Sequence, residues 1–254
     1  MKTAVLCIAL ATLVVAGPSC GGGDETAGQR VSLKTRLTAD TTTFTNALGF
    51  AVKIDKALLS VGPLYYFDGE PVTASRGPRP WPRFGLGVAH AHPGHFIPGA
   101  AIGQMLVPDT VDLAAGPVSL ADGSGVTGTA RSGRFLFGVP PAGAKAGGLS
   151  GKLVRVEGTF TTVGASKAFV ATAGVDDLKD SAGEDKVDGC VFSSGAITGP
   201  GTVTVKIALA TWLDQVDFDK ATASDPASLD GTEAGNAFVR GVQKALAYQF
   251  SYAK

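Results

Sequence analysis

The stretch GKLVRVEGTFTTV, residues 151–163, decides the fold class of this chain. Val154 and Val156 alternate with Arg155 and Glu157, which is the two-residue period of a β-strand that buries one face. The later threonines extend the pattern and are typical of strands rather than helices. This part of the chain therefore predicts a strand at the edge of a hydrophobic core.

Outward from this stretch, short runs of the same kind recur and are separated by glycine, proline and Asp-Gly turns. We expect strands at residues 30–38, 49–67, 104–113, 117–120, 126–139, 167–173, 186–192, 202–212 and 248–253. The stretch TVTVKIALATW at 202–212 is the clearest of them, and 233–247 has the only pattern of an amphipathic helix. We predict a mainly β fold, a β-sandwich or open barrel of about eight to ten strands with one C-terminal helix.

The composition restricts the functional class. Of the 254 residues 17% are charged, and 22 Lys and Arg balance 22 Asp and Glu. No basic stripe is present, so we expect no nucleic acid among the partners. Beyond the N-terminal segment no apolar run reaches roughly eighteen residues, so we expect no membrane-spanning helix.

The first twenty residues have the order of an export signal. Lys2 precedes a short apolar run at residues 5–16, which Gly17-Pro18-Ser19-Cys20 closes. A small residue before a cysteine that is followed by glycines resembles the lipobox of bacterial lipoproteins, although Gly17 stands where that family favours leucine. The alternative is ordinary secretion with cleavage near Ala16.

The lipobox resemblance implies a division of the chain and a location. It implies a signal peptide at 1–19 and a lipid on Cys20, and the glycine-rich residues 20–29 would form a flexible tether. The length of the remaining chain suits one large all-β domain or two small ones, and we expect a single β-rich domain at 30–254. The protein would then lie in the cell envelope, on the periplasmic or surface face of the outer membrane. The membrane would be a partner through the N-terminal lipid.

Residues 71–103 are rich in glycine and proline without periodicity, and predict a long loop. All three histidines of the chain lie in it, within His90-Ala91-His92-Pro93-Gly94-His95. His90 and His92 would point to one side of an extended segment, and Pro-Gly suits a type II turn that brings His92 and His95 together. Neutral imidazoles are common ligands of copper and zinc, so we predict that His90, His92 and His95 bind a copper or zinc ion. The alternative is surface histidines in a turn that requires only the Pro-Gly pair.

A further metal ligand would come from elsewhere in the chain. The candidates by ligand chemistry are Met105, Cys190, Asp109 and Asp112. Cys190 is also the only cysteine after Cys20 and has no disulfide partner within the folded domain, so we expect a packed, unreactive thiol.

The sequence contains no enzymatic motif. The H-E-x-x-H and G-x-S-x-G patterns and the phosphate-loop spacing are all absent. A metal-dependent hydrolase would also need a general acid or base and a cleft, which the sequence does not nominate. We therefore expect a protein that is not an enzyme.

Six acidic residues lie between Asp176 and Asp188, in a stretch that also contains Gly183. Carboxylates are calcium ligands, but this spacing fits no EF-hand. We expect an exposed, solvated loop rather than a calcium site.

The strand patterns at 49–67 and the Trp-containing segment at 202–219 resemble periplasmic copper-binding lipoproteins that accompany copper-scavenging peptides. That resemblance implies a β-sandwich and copper handling, and no ligand motif of the family transfers to this chain. The expected function is that of a lipid-anchored extracytoplasmic metal-binding protein. The alternative is an interaction or structural lipoprotein without metal, whose loop contacts a partner or the membrane surface through Arg76, Arg79, Trp81, Arg83 and Phe84.

Overall fold

A computed structural model describes residues 28–71, 96–140, 144–162, 164–180, 182–193 and 195–254. Of these residues 48% are in strands and 17% are helical, so the mainly β prediction is confirmed. The first half of the described chain contains β1 (Arg30–Ala39), β2 (Thr43–Thr45), β3 (Ala51–Phe67), β4 (Ala101–Met105), β5 (Asp109–Asp112), β6 (Val118–Ser119), β7 (Gly123–Val126), β8 (Gly128–Thr129) and β9 (Ser132–Phe137). The second half contains β10 (Val154–Thr162), β11 (Ala165–Ala173), β12 (Lys186–Phe192), β13 (Ala196–Ile197), β14 (Gly201–Ile207), β15 (Ala227–Ser228) and β16 (Tyr248–Ala253).

Four short α-helices accompany the strands within the described ranges, where the sequence predicts one. They are α1 (Ala144–Leu149), α2 (Val175–Leu178), α3 (Leu209–Leu213) and α4 (Glu233–Val242). Three short 3-10 helices are also present, at Leu113–Ala115, Phe218–Lys220 and Ala245–Ala247. Among the residues described, no helix is long and apolar enough to span a membrane.

Eight of the strands close into a barrel. Their order is β3-β4-β7-β1-β14-β16-β12-β9, and β9 pairs again with β3. Most neighbours are antiparallel, whereas β1 with β14 and β12 with β16 are parallel. The sequence leaves a sandwich and an open barrel as alternatives; the structure is a barrel, and it is closed.

The seventeen-residue strand β3 takes part both in the barrel and in the part of the sheet that extends outside it. Its second half, from Val61 to Phe67, pairs with β9 inside the barrel, and its first half, from Ala51 to Leu59, pairs with β10. From there the sheet continues outside the barrel through β10 to β11 and β15. The two halves separate where Gly62 meets Gly138, whose backbones approach so closely that a Cβ on Gly62 would lie 2.9 Å from the Gly138 nitrogen.

Aromatic rings fill the inside of the barrel. Tyr66 on β3 contacts Phe192 on β12 and Phe250 on β16, with ring centroids 5.8 and 5.9 Å away. Because β3 and β16 are not adjacent in the barrel, these contacts cross its interior. Phe135 on β9 adds a contact with Tyr248 at 4.7 Å. The interior is therefore a packed core rather than a pore.

Another aromatic part of the same core lies between the outer sheet and the C-terminal helices. Phe160 and Phe218 stack at 4.5 Å, and Phe50 and Phe169 meet the ring of Phe218 edge-on. All four side chains are buried. The outer sheet is thereby attached to the segment that follows α3.

The helix α4 begins where the sequence predicts, with Thr232 accepting a hydrogen bond from the Gly235 N–H at 3.1 Å. It ends earlier than predicted, at Val242. A Cβ on Gly241 would lie 2.3 Å from the Trp212 carbonyl oxygen, so this glycine allows the helix to approach the backbone of α3. A glycine that weakens the helix pattern in the sequence is thus required by the packing.

The single strands expected at 104–113 and 126–139 are each divided into shorter strands, and two local predictions assign the wrong type of element. The strand expected at 202–212 ends at Ile207, and α3 follows because the carboxylate of Asp40 accepts a hydrogen bond from the Leu209 N–H at 3.0 Å. The loop expected at Lys145–Gly148 lies within α1, which places Leu149 in the core. In both places tertiary packing overrides the local pattern.

Candidate functional site

The predicted ligands His90, His92 and His95 lie outside the described residues, as does Cys20. The structure does describe both ends of the segment that carries the histidines. One end follows β3 at Phe67, and the other precedes β4, which begins at Ala101, two residues earlier than the expected loop end. These two ends are the part of the candidate site that the structure describes.

Backbone hydrogen bonds join the two ends directly. The N–H of Gly69 donates to the Pro98 carbonyl oxygen at 2.9 Å, and the N–H of Asp68 donates to the Ala100 carbonyl oxygen at 3.2 Å. The Asp68 carboxylate accepts from the Ala100 N–H at 2.7 Å. We call this arrangement, residues 68–70 with 96–100, the clasp.

Side chains from the barrel wall hold the clasp in place. The Ser132 hydroxyl donates to the Gly69 carbonyl oxygen at 2.7 Å, and Arg131 forms an ion pair with Glu70. Phe96 meets Phe67 edge-on at 6.2 Å between ring centroids. The segment between the two ends thus leaves and re-enters the barrel at one fixed place.

The start of the barrel lies beside the clasp. Gly28, Asp68, Ala100 and Arg131 all line one surface hollow of about 730 Å3. The chain that precedes β1 therefore reaches the barrel at the end where residues 71 and 96 leave it.

Arg134 links the clasp to a group of charged side chains. Its guanidinium lies over the ring of Phe67, 5.4 Å from the centroid, and forms a two-point pair with the carboxylate of Asp188. The Asp188 carboxylate also lies 3.3 Å from the ammonium nitrogen of Lys186. The side chains of Arg134 and Asp188 are about three-quarters buried, with exposed fractions of 25% and 22%.

Lys186 is surrounded by three carboxylates, those of Asp180, Glu184 and Asp188. The hydrogen bond to Glu184 raises the pKa of Lys186, and desolvation acts in the opposite direction. Desolvation opposes ionisation of Asp180, but the backbone N–H groups of Glu184 and Ala182 together with the Lys186 ammonium lower the pKa of that carboxyl. Lys186 and Arg134 therefore offset two of the three carboxylate charges, and each carboxylate has a cationic partner.

The acidic stretch is therefore more ordered than a solvated loop. Asp188 lies on β12, and Asp176 and Asp177 lie on α2. The carboxylate of Asp177 accepts from the Gly174 N–H at 2.7 Å at the start of that helix. Within the described ranges, no three His, Cys, Asp or Glu side chains are grouped so that they could hold one metal ion.

The four candidates for a further ligand fall into two kinds. Met105 and Cys190 are completely buried. The carboxylate of Asp112 accepts hydrogen bonds from the N–H groups of Ala57 and Ala114, and Asp109 accepts from the Thr110 N–H. Among the residues that the structure describes, Cys190, Asp109 and Asp112 belong to no group of three His, Cys, Asp or Glu side chains that could hold a metal ion.

Cys190 is a packed thiol, as expected. Its sulfur faces the Val187 carbonyl oxygen at 3.5 Å, and burial raises the pKa of the thiol. A protonated, solvent-excluded thiol is neither a good nucleophile nor a metal ligand.

The barrel interior contains an unusual pair of hydroxyl groups. Tyr66 and Thr35 are buried, and in the described part of the chain neither hydroxyl oxygen has a hydrogen bond of normal geometry. Desolvation raises the pKa of Tyr66, and its neighbour Thr35 offsets this effect only in part. Tyr66 is therefore a neutral core residue.

Glu70 of the clasp and the neighbouring Arg131 and Arg134 are absent from the sequence-based list of candidates. Glu70 and Arg131 are 61 positions apart, and no local spacing connects them. The Asp68-Gly69 turn signal is the one feature of the sequence that marks this position.

A scan against protein-family models matches no family, and searches among curated proteins and among solved structures find no match either.

Proposed function

We propose that this protein is a lipid-anchored extracytoplasmic metal-binding protein, in which His90, His92 and His95 bind a copper or zinc ion. One observation carries the proposal: all three histidines of the chain lie within six residues of a segment whose two ends are joined at the clasp. The lipid anchor is Cys20, and the barrel serves as the scaffold. The protein is a binding module rather than an enzyme.

The clasp supports this function through entropy. Closing a chain segment around a metal ion costs less conformational entropy when its two ends are already held together. Hydrogen bonds at Gly69 and Ala100 and the contact of Phe96 with Phe67 fix them. A site on this segment could therefore form without rearrangement of the barrel.

The position of the first described residues adds a geometric expectation. Gly28 lies beside the clasp, and a ten-residue tether from Cys20 to Gln29 extends over at most about 35 Å. An anchor at Cys20 would hold the histidine segment near the membrane surface. The protein would then bind metal close to the membrane, where a membrane-embedded donor or acceptor of metal could reach it.

Calorimetric titration of the chain from residue 20 onward, with Cys20→Ser to keep it in solution, tests the proposal. Zn(II), Cu(II) and Cu(I) under reducing conditions are the three probes. We expect saturable binding of at least one of them and a large loss of affinity in each of His90→Ala, His92→Ala and His95→Ala. Since only neutral imidazole binds metal, affinity should fall as the pH drops through about 6.5.

Pro93→Ala and Lys145→Ala are the comparison variants. Pro93→Ala should weaken binding less than loss of a histidine, because it loosens the turn without removing a ligand. Lys145→Ala, on the exposed side of α1, should have no effect. Flat titrations with all three probes, or equal binding by the triple alanine variant, would exclude the metal site. The interaction lipoprotein without metal would then be the better hypothesis.

A further inference from the structure

The strand β11, on the sheet outside the barrel, has an outer edge that is only partly covered. The Val170 carbonyl oxygen accepts from the Leu229 N–H at 3.0 Å, and the Thr172 N–H donates to Asp230 at 3.1 Å. Alternate residues of a strand direct their backbone groups to the same side. The backbone groups of Ser166 and Ala168 therefore face this edge too.

The neighbouring strand β15 covers only part of the edge. Ala227 and Ser228 pair in parallel with Phe169 and Val170, and the chain before Ala227 turns away from β11. Within the described residues, the N–H groups of Ser166 and Ala168 have no hydrogen-bond partner. This part of the edge, residues 165–168, is about 13 Å long, enough for three or four residues of an added strand.

A cleft of about 490 Å3 lies where β15 leaves the edge. It is bounded by Ser166, Lys167 and Ala168 on one side and by residues 221–225 on the other. The stacked rings of Phe160 and Phe218 form its floor and are only 3% and 2% exposed. The cleft thus has an apolar floor beside free backbone donors.

The charged side chains of the cleft are unpaired. Lys167, Asp219 and Asp225 line it and are exposed, and none has an ion-pair partner among the residues that the structure describes. Two carboxylates and one ammonium give the cleft a net negative charge. The cleft therefore favours a positively charged ligand over an anion.

We propose that this cleft binds an extended peptide that carries an arginine or lysine side chain. The peptide adds as a short strand to β11, with backbone hydrogen bonds to Ser166 and Ala168. The aliphatic part of its basic side chain lies over Phe160 and Phe218, and the cationic group meets Asp219 and Asp225. The site is separate from the clasp and does not depend on metal binding.

An extended peptide with a basic side chain is the ligand that matches the open strand edge, the apolar floor and the negative charge of the cleft. A small cation would pair with the carboxylates but would leave the N–H groups of Ser166 and Ala168 without acceptors. An apolar ligand would leave the carboxylates and these N–H groups without partners. A peptide strand satisfies the edge groups, which otherwise template pairing with another chain. The length of the open edge limits recognition to a short segment of the partner.

Nuclear magnetic resonance titration of the isotope-labelled chain from residue 20, with Cys20→Ser, tests the proposal. The probe is the peptide acetyl-Thr-Arg-Thr-Val-amide, and the control peptide has glutamate in place of arginine. We expect saturable shifts of the Ser166 and Ala168 amide signals with the arginine peptide. The glutamate peptide should bind at least tenfold more weakly, since tenfold corresponds to about 1.4 kcal/mol, the scale of one charged contact.

Two variants separate the backbone from the charge contribution. Ala168→Pro removes a backbone N–H at the sheet edge, where proline is tolerated. The double substitution Asp219→Asn with Asp225→Asn removes the negative charge of the cleft. Each should lower the affinity at least tenfold, whereas Asp122→Asn, on an exposed turn outside the cleft, should not change it. If Ala168→Pro does not fold, the Asn double variant alone decides, because it alters only exposed side chains.

Three results would overturn the proposal. They are the absence of saturable shifts with the arginine peptide, shifts confined to another surface, and equal affinity in the Asn double variant. Sedimentation that shows a dimer, with no response to the peptide, would mean that the edge pairs with a second copy of this chain. Metal titration of the same sample is independent of all these outcomes.

Discussion

Replacing Asp188 by asparagine tests how much the partly buried ion pairs contribute to the stability of the barrel. Asp188 on β12 holds Arg134 on β9 by two contacts and lies 3.3 Å from Lys186. At about 4 Å and an effective dielectric constant near 20, one such charge pair is worth about 4 kcal/mol before desolvation. Desolvation and the remaining exposure of both side chains reduce this, and asparagine keeps one acceptor, so we expect a net loss of about 2 kcal/mol.

The assay is urea and thermal unfolding followed by circular dichroism. For a domain of this size a loss of about 2 kcal/mol lowers Tm by about 4 to 8 °C. A double-mutant cycle with Arg134→Gln should give a coupling free energy of at least about 1 kcal/mol. Asp176→Asn is the matched control, because Asp176 pairs with Lys179 but its side chain is 92% exposed, and we expect no measurable effect.

The reasoning would be refuted if Asp188→Asn behaved like this control. A loss below about 0.5 kcal/mol, or a coupling free energy near zero, would mean that solvent screens the Arg134–Asp188 pair as fully as a surface pair. Arg134 would then support the barrel through its contact with the Phe67 ring rather than through Asp188.

The other predictions concern the anchor, the buried thiol and the acidic stretch. Cys20→Ser should abolish labelling by a fatty-acid probe and release the protein from the membrane fraction; a labelled, membrane-bound variant would disprove the anchor. Cys190 should react slowly with a thiol reagent in the native protein and rapidly in denaturant, because its sulfur is excluded from solvent; rapid native labelling would contradict this. The lowered pKa of Asp180 stabilises the fold above its unfolded value of about 3.9, and this contribution is lost as the pH falls through the lower folded value. In urea unfolding between pH 2 and 6, Asp180→Asn should therefore weaken the dependence of stability on pH; an unchanged slope would exclude the effect.

Most strands could be predicted from sequence because burial of one sheet face imposes a two-residue period. The burial pattern of β1 alternates strictly from Arg30 to Leu37, and that of β10 does so from Val154 to Phe160. The prediction of 186–192 matches the bounds of β12. Such patterns depend only on residues that are close together in the sequence, so a single sequence is enough to predict them.

The short helices could not be predicted because their causes are distant. Asp40 caps α3 from 169 positions away, and Gly241 matters only because the Trp212 backbone packs against it. The charged pairs that turn the acidic stretch from a solvated loop into ordered structure also need Arg134, 54 positions before Asp188. No local pattern contains this information.

The strand pairing that closes the barrel also positions the clasp, and neither set of contacts involves the histidines of the candidate site. The pairing of β9 with β3 closes the barrel, and Ser132, at the start of β9, donates its hydroxyl to Gly69 just beyond the end of β3. Closure thus positions one end of the histidine segment, and the Gly69 and Ala100 hydrogen bonds position the other. Every one of these contacts lies on residues 67–71, 96–100 or the barrel wall. These contacts involve no residue of 72–95, so the described part of the fold gives no reason for three histidines to be concentrated there.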